Sequence, residues 1–102
     1  MRGLDYANPQ HDFRKDSYTY NNNNNNNYTA TYVVTENGIL IAHQNDYKLK
    51  ISINNTILVY HSSGDPSYSS IMVPVSKDDI IKIINESSSM NDCFRIYVFN
   101  YL

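Results

Sequence analysis

The chain has 102 residues, with 8 Lys and Arg against 10 Asp and Glu, and a formal net charge of -2 at pH 7. That length holds one domain, and the balanced charge offers neither a basic field for nucleic acid nor an acidic tail. A single cysteine, Cys93, rules out an intramolecular disulfide and leaves no cysteine cluster for zinc.

The opening stretch, MRGLDYANPQHDFRKD, carries no apolar segment of the signal-peptide kind behind Arg2. No run approaches the roughly 18 apolar residues of a membrane helix. The expectation is a protein made in the cytoplasm and not inserted into a membrane. Asn, Ile, Tyr and Ser are abundant and Trp is absent, a skew that an AT-rich genome also produces.

Residues 1–20 scatter Leu4, Tyr6, Phe13, Tyr18 and Tyr20 among polar and charged neighbours without sustained periodicity. Alone, such a segment buries too little apolar area to offset the entropy of ordering it. It reads either as a disordered leader or as an extended arm whose aromatics order on a partner's surface. Residues 21–27 are seven consecutive asparagines. Asparagine favours turns over helices and strands, and the run is short for a polar zipper, so it reads as a linker. Fully stretched it reaches roughly 25 Å, at about 3.3–3.6 Å per residue.

From Tyr28 to Leu102 the pattern is that of strands. YTATYVV alternates, and the turn signal Glu36–Asn37–Gly38 leads into ILIAH. YKLKISI places Leu49, Ile51 and Ile53 on one face and Lys48, Lys50 and Ser52 on the other. Asn54–Asn55 predicts a two-residue hairpin turn into TILVYH. SSGDPSYSS is a loop, and Pro74 in IMVPV marks an edge strand or a bulge. SKDDIIKII is short and β-branched, which favours strand over helix. NESSSMND is a further loop, and CFRIYVFNYL is the last strand. Short strands separated by polar turns predict an all-β fold: a small antiparallel β-sandwich, jelly-roll-like, preceded by the N-terminal arm.

In that last strand Phe94, Ile96 and Val98 share one face, while Tyr97, Phe99 and Tyr101 share the other with Arg95. A half-buried strand should be polar toward solvent. Either both faces are covered within the domain, or the aromatic face packs on another subunit. A unit of about 75 residues buries only roughly 60% of its unfolded surface and gains from association. The reading is a homo-oligomer interface at Tyr97, Phe99 and Tyr101, satisfied by a dimer or a trimer.

Signals for chemistry are sparse. His11, His43 and His61 form no ligand pair, so no metal or cofactor site is expected. Asp78 and Asp79 are adjacent and would point to opposite sides of a strand, which disfavours a catalytic dyad. No nucleophile-elbow, P-loop or dinucleotide glycine pattern occurs, and Cys93 reads as a core cysteine. No enzyme is expected. The sequons at Asn27, Asn54 and Asn85 are of a number expected by chance in so Asn-, Ser- and Thr-rich a chain. The loop HSSGDPSYSS gathers His61, Asp65 and Tyr68 with several serines, a mix that stacks on and hydrogen-bonds sugars and also composes any solvated β loop.

Residues 32–102 resemble the small β-sandwich domains at the distal ends of tailed-bacteriophage fibres and head fibres. Four motifs carry the resemblance in order. YVVTENGILI, with Gly38 as turn glycine, is followed by YKLKISINNTILVY, where Asn55 replaces the glycine of an Asn-Gly hairpin. IMVPVSKDDIIKI follows a hydrophobic-x-Pro-Val-x-Lys-Gly-Asp entry into a strand, with Asp78 at the usual glycine. FRIYVFNYL is the terminal aromatic strand.

The resemblance implies a structural virion protein, most often trimeric, assembled in the host cytoplasm and located on the particle. Without shaft repeats it is similar to a capsid-decorating head fibre, as in a phage of the crAss-like kind. In that case residues 1–20, with Leu4, Tyr6 and Phe13, dock on the capsid, 21–27 space, and the knob at 28–102 oligomerises. The rival reading is a tail-associated receptor-binding module touching host glycans; a third is an Asn-rich interaction domain of a non-viral, AT-rich source.

Overall fold

The computed structural model describes residues 3–21, 27–44, 49–60, 69–85 and 94–102. Among these residues nine strands form two antiparallel sheets: β1 His11–Asp12, β2 Thr19–Asn21, β3 Asn27–Val33, β4 Gly38–Gln44, β5 Leu49–Ile53, β6 Thr56–Tyr60, β7 Ser69–Val75, β8 Ile80–Asn85 and β9 Phe94–Asn100. One sheet has the order β1-β9-β4-β7 and the other β2-β3-β8-β5-β6. The fold is the expected all-β sandwich.

Period-two patterning builds the core. Leu40, Ala42, Ile96 and Val98 point inward from the four-stranded sheet, and Leu49, Ile51, Ile81 and Ile83 from the five-stranded sheet. Each is essentially without solvent contact. Asn54 and Asn55 have φ 50° and 70° and make the β5–β6 hairpin turn, the left-handed pair that matches the right-handed twist of the strands. The Glu36–Asn37 turn is a corner: β3 belongs to one sheet and β4 to the other. Val34 N–H donates to Asp79 O and Asp78 N–H to Val34 O, both at 2.8 Å, and Lys77 N–H donates to Asn37 Oδ1 at 2.8 Å. These bonds lock that corner to the β7–β8 turn.

Two expectations about the N-terminal third are corrected. Asn21 pairs with Asn27, Tyr20 with Tyr28 and Thr19 with Thr29. The asparagine run is therefore the connection of a β-hairpin and does not space two bodies apart. Phe13 is 0% exposed within the core cluster, so it plugs the chain's own sandwich and cannot dock on a capsid. It sits in a 3-10 turn, Phe13–Lys15, capped by the Asp12 carboxylate accepting from Arg14 N–H. The His11 ring stacks on Tyr32 at 3.9 Å and meets Phe13 edge-on at 4.7 Å, closing the open side between the sheets.

The Gln10 side chain fastens this segment. Its Nε2 donates to Glu36 O at 2.9 Å and to Asn100 Oδ1 at 2.6 Å. Its Oε1 accepts from Tyr32 Oη at 2.8 Å and from Thr35 N–H at 2.9 Å. One carboxamide thus satisfies β3, the corner and β9 together, using its full set of donors and acceptors.

Candidate functional site

Register turns the outer face of the four-stranded sheet into a grid. Phe99, Ile39 and Pro74 are cross-strand neighbours; so are Tyr97, Ile41 and Met72 in the next row, and Arg95, His43 and Ser70 in the third. Two of the three rows are wholly apolar or aromatic on the side away from the core. Met72 is 65% exposed and Pro74 is exposed. Tyr97, Ile39 and Ile41 are half-buried against one another, with the Tyr97 and Phe99 rings stacked at 5.4 Å.

The other sheet serves as an internal comparison. Its outer face carries Thr31, Lys82 and Ser52 as one cross-strand row and Thr29, Ile84 and Lys50 as another. Those rows are mixed, and the row beyond them pairs Val33 with Ile80, 50% and 45% exposed, while Ile57 beside the nearly buried Ser52 is 55% exposed. The two outer faces therefore differ in degree: apolar side chains run unbroken across two rows of the four-stranded sheet and are interrupted by polar ones on the five-stranded sheet.

Association through strand edges is discouraged on all four sides. β1 has two residues and β2 three. β6 carries an extra residue at Leu58, where the register shifts between Ile51 and Ser52. On β7, Pro74 opposes Ile39 without an N–H and presents a missing donor to the open edge. Short, bulged and proline-bearing edges leave the outer face as the surface for assembly.

The sequence-predicted residues fall as follows. Tyr97, Phe99 and Tyr101 do share the outer face, but not as bare surface. Phe99 is only 8% exposed because Tyr6, itself 63% exposed, meets it edge-on at 5.1 Å. Leu4 bridges to Tyr101. The arm residues Leu4 and Tyr6 thus lie on the chain's own last strand. His61, Asp65 and Tyr68 lie outside the described residues. Reasoning from sequence missed Ile39, Ile41, Met72 and Pro74, although GILIA and IMVPV carry the same signal as the last strand: apolar residues at consecutive positions, hence on both faces.

At the polar end of the grid, Ser70 Oγ lies 2.7 Å from His43 Nδ1. The pair is exposed, and among the described residues no carboxylate orients the imidazole as a nucleophile triad requires. His11 Nε2 lies 2.7 Å from Asp16 Oδ1 at ion-pair distance, without the alignment of a straight hydrogen bond. Tyr18 Oη donates to Phe13 O at 2.9 Å. Burial, then the charges of Asp16 and Asp12, raise its phenol well above the ordinary value. Among the described residues no three His, Cys, Asp or Glu side chains could hold a metal, and no helix is long and apolar enough to cross a membrane.

One concavity of about 500 Å³ opens at the corner end, lined by Glu36, Asn37, Lys77, Asn100 and Tyr101 among others. It offers a carboxylate, an ammonium, two carboxamides and a phenol ring. Compared with known proteins, the chain matches no family, no curated protein and no solved structure.

Proposed function

We propose that the chain is a self-associating structural module, of the kind that decorates a bacteriophage head, and that copies meet through the outer face of the four-stranded sheet. The observation that carries this reading is the two-row apolar block of Phe99, Ile39, Pro74, Tyr97, Ile41 and Met72 on a side where solvent should be. The five-stranded sheet also exposes apolar side chains, Val33, Ile57 and Ile80, but polar Thr31, Lys82 and Ser52 break them up, so among the described residues they form no unbroken two-row block. The phage-head part of the reading rests on the order of the four sequence motifs and on the sandwich fold that accompanies them.

Four strands about 4.8 Å apart and seven residues at about 3.4 Å each make a face of roughly 19 by 24 Å. That is roughly 450 Å² per copy and about 900 Å² for the pair, below the range of standard stable interfaces, so the association expected is a weak one. Two such sheets packed face to face are isologous and give a dimer, whereas the resemblance implies a trimer. Sedimentation equilibrium decides between the two masses. Met72→Lys with Tyr97→Ser should shift the assembly to monomer without changing the melting temperature by more than a few degrees. A chain still monomeric at several hundred micromolar, in wild type and in Leu4→Ser, Tyr6→Ser alike, would end the reading. Its presence at fixed stoichiometry to the major capsid protein in purified particles tests the decoration role.

The concavity beside Glu36, Lys77 and Tyr101 favours one second reading, a tail-associated module that binds receptor glycans. A glycan array probed with wild type and with Glu36→Gln, Lys77→Ala would show saturable, variant-sensitive binding in that case.

A further inference from the structure

We infer that residues 3–8, which pair with the edge of β9 and fold the Tyr6 ring onto Phe99, are a displaceable strap at the rim of the interaction face, and that a second copy of this chain takes the place of the Tyr6 ring. The inference rests on reading the outer face as the self-association surface. The strap's base is firm, since the Gln10 carboxamide makes four hydrogen bonds just behind it. Ahead of that clip the attachment is thin. Asp5 N–H donates to Asn100 O at 2.9 Å, Leu102 N–H donates to Gly3 O at 3.0 Å, and the Tyr6 ring caps Phe99. The bonds from Tyr6 N–H to Leu4 O and from Asn8 N–H to Asp5 Oδ1 lie within the strap and survive its release.

No strap residue is fully buried: Leu4 and Asp5 are half-buried, and Gly3, Tyr6, Ala7 and Asn8 are exposed. A segment with no fully buried side chain, held among the described residues chiefly by two ladder bonds and a ring contact, belongs to the low-stability end of a fold, where local opening is frequent. What it covers is the continuation of the interface. Phe99 is next in line after Tyr97 along β9, so lifting the strap adds its ring to the block already formed by Ile39, Pro74, Ile41 and Met72.

A second copy that binds only the opened form competes with the strap and shifts its equilibrium. In an isologous dimer both copies must be open, so the apparent association constant is the intrinsic one multiplied by the square of the open fraction. With a strap closed about nine-tenths of the time or more, releasing it in both copies tightens association about a hundredfold or more.

Leu4 and Tyr101 supply the test. They are flanked by the two backbone bonds, from Asp5 N–H and Leu102 N–H, which makes them a non-hydrogen-bonded antiparallel pair. In such pairs the Cα atoms approach to about 4.5 Å, within disulfide reach. The full chain carrying Cys93→Ser, Leu4→Cys and Tyr101→Cys is compared oxidised and reduced by sedimentation. Full-length Leu4→Ser, Tyr6→Ser, whose strap is loosened, is compared with wild type. The expected results are association at least about tenfold weaker in the oxidised form and tighter than wild type in the serine variant. Equal association of oxidised and reduced forms overturns the strap and leaves the interface standing. A reductant-sensitive covalent dimer overturns it too, because the strap is then exchanged between copies. If even the loosened chain stays monomeric, the interface reading falls and takes the strap with it.

Discussion

Asn21 and Asn27 face each other as the last pair of the β2–β3 ladder. Opposed Cα atoms in such a ladder are about 4.5–5.5 Å apart, against the roughly 25 Å a stretched run of seven would reach. The two ends of the asparagine run are held together by Tyr20 and Tyr28, whose rings lie 5.0 Å apart just inside them. The two ends of the run thereby lie side by side on the five-stranded sheet.

Replacing residues 22–26 with Gly and Ser at equal length should therefore change stability by less than about 1 kcal/mol, since loop closure depends weakly on composition and length. The hydrodynamic radius should not change. Tyr20→Ala should cost more, about 0.5–1 kcal/mol, because it removes a cross-strand aromatic pair. Urea denaturation and dynamic light scattering read both effects. A radius that tracks the length of the run would restore the tether.

Phe13 and Gln10 carry the attachment of the N-terminal segment to the sandwich. Phe13→Ala should destabilise by about 3–5 kcal/mol, the range for emptying a fully buried aromatic site. Gln10→Ala strands the Tyr32 hydroxyl, the Thr35 N–H and the Asn100 carboxamide, for a loss of about 2–3 kcal/mol. Chemical denaturation measures each loss. A chain indifferent to both substitutions has an arm that is not part of the fold.

Much of this architecture is legible before any coordinates. The alternation in YKLKISI buries Leu49 and Ile51, the Asn54–Asn55 pair turns as its chemistry requires, and Pro74 lies on an edge strand. The misread parts share a physical cause. β2 has only three residues, too few for a period to declare itself, and Phe13 is a lone aromatic in an aperiodic segment. Sheet membership is likewise invisible, because a corner such as Glu36–Asn37 uses the same residues as a hairpin. The apolar outer face was half visible, in its β9 row alone, because strand-by-strand reading cannot show which rows of β4 and β7 lie beside Tyr97 and Phe99.

Three turn positions separate what resembles a glycine site from what needs a glycine. Asp78 has φ 77° where the fibre-domain pattern has Gly, and Asn55 has φ 70° where an Asn-Gly hairpin would have it. Asp78→Gly should stabilise by about 0.5–1 kcal/mol by relieving a left-handed residue that has a Cβ; Asn55→Gly should gain less, because asparagine tolerates that region. Gly38 is different. Its φ is not positive, and a Cβ there would lie 2.1 Å from Phe99 O. The glycine is required by the close approach of β9, and Gly38→Ala should cost at least about 2 kcal/mol through forced separation of the two strands. Melting temperatures of the three variants should move up, slightly up and down in that order.

Tyr18 makes the fold sensitive to alkali. Its phenol is held neutral by burial and by the neighbouring Asp16 and Asp12 charges, so its folded-state value lies above the ordinary 10.0 of the unfolded chain. Below pH 10 both states keep the proton and the contribution to stability is complete. Above pH 10 the unfolded chain releases its proton while the folded chain retains it; the unfolded state then binds fewer protons and stability falls as pH rises. The loss should begin near pH 10 and be steeper than in Tyr18→Phe, which has no proton to release. At pH 8 Tyr18→Phe should itself be about 1 kcal/mol less stable, having lost the bond to Phe13 O. The two stability curves should therefore converge between pH 10 and 12 in urea titrations. Because Tyr18 fastens the Phe13 carbonyl, the first structure to loosen in that window should be the N-terminal segment, seen as a rise in proteolysis near Arg14 and Lys15 ahead of global unfolding.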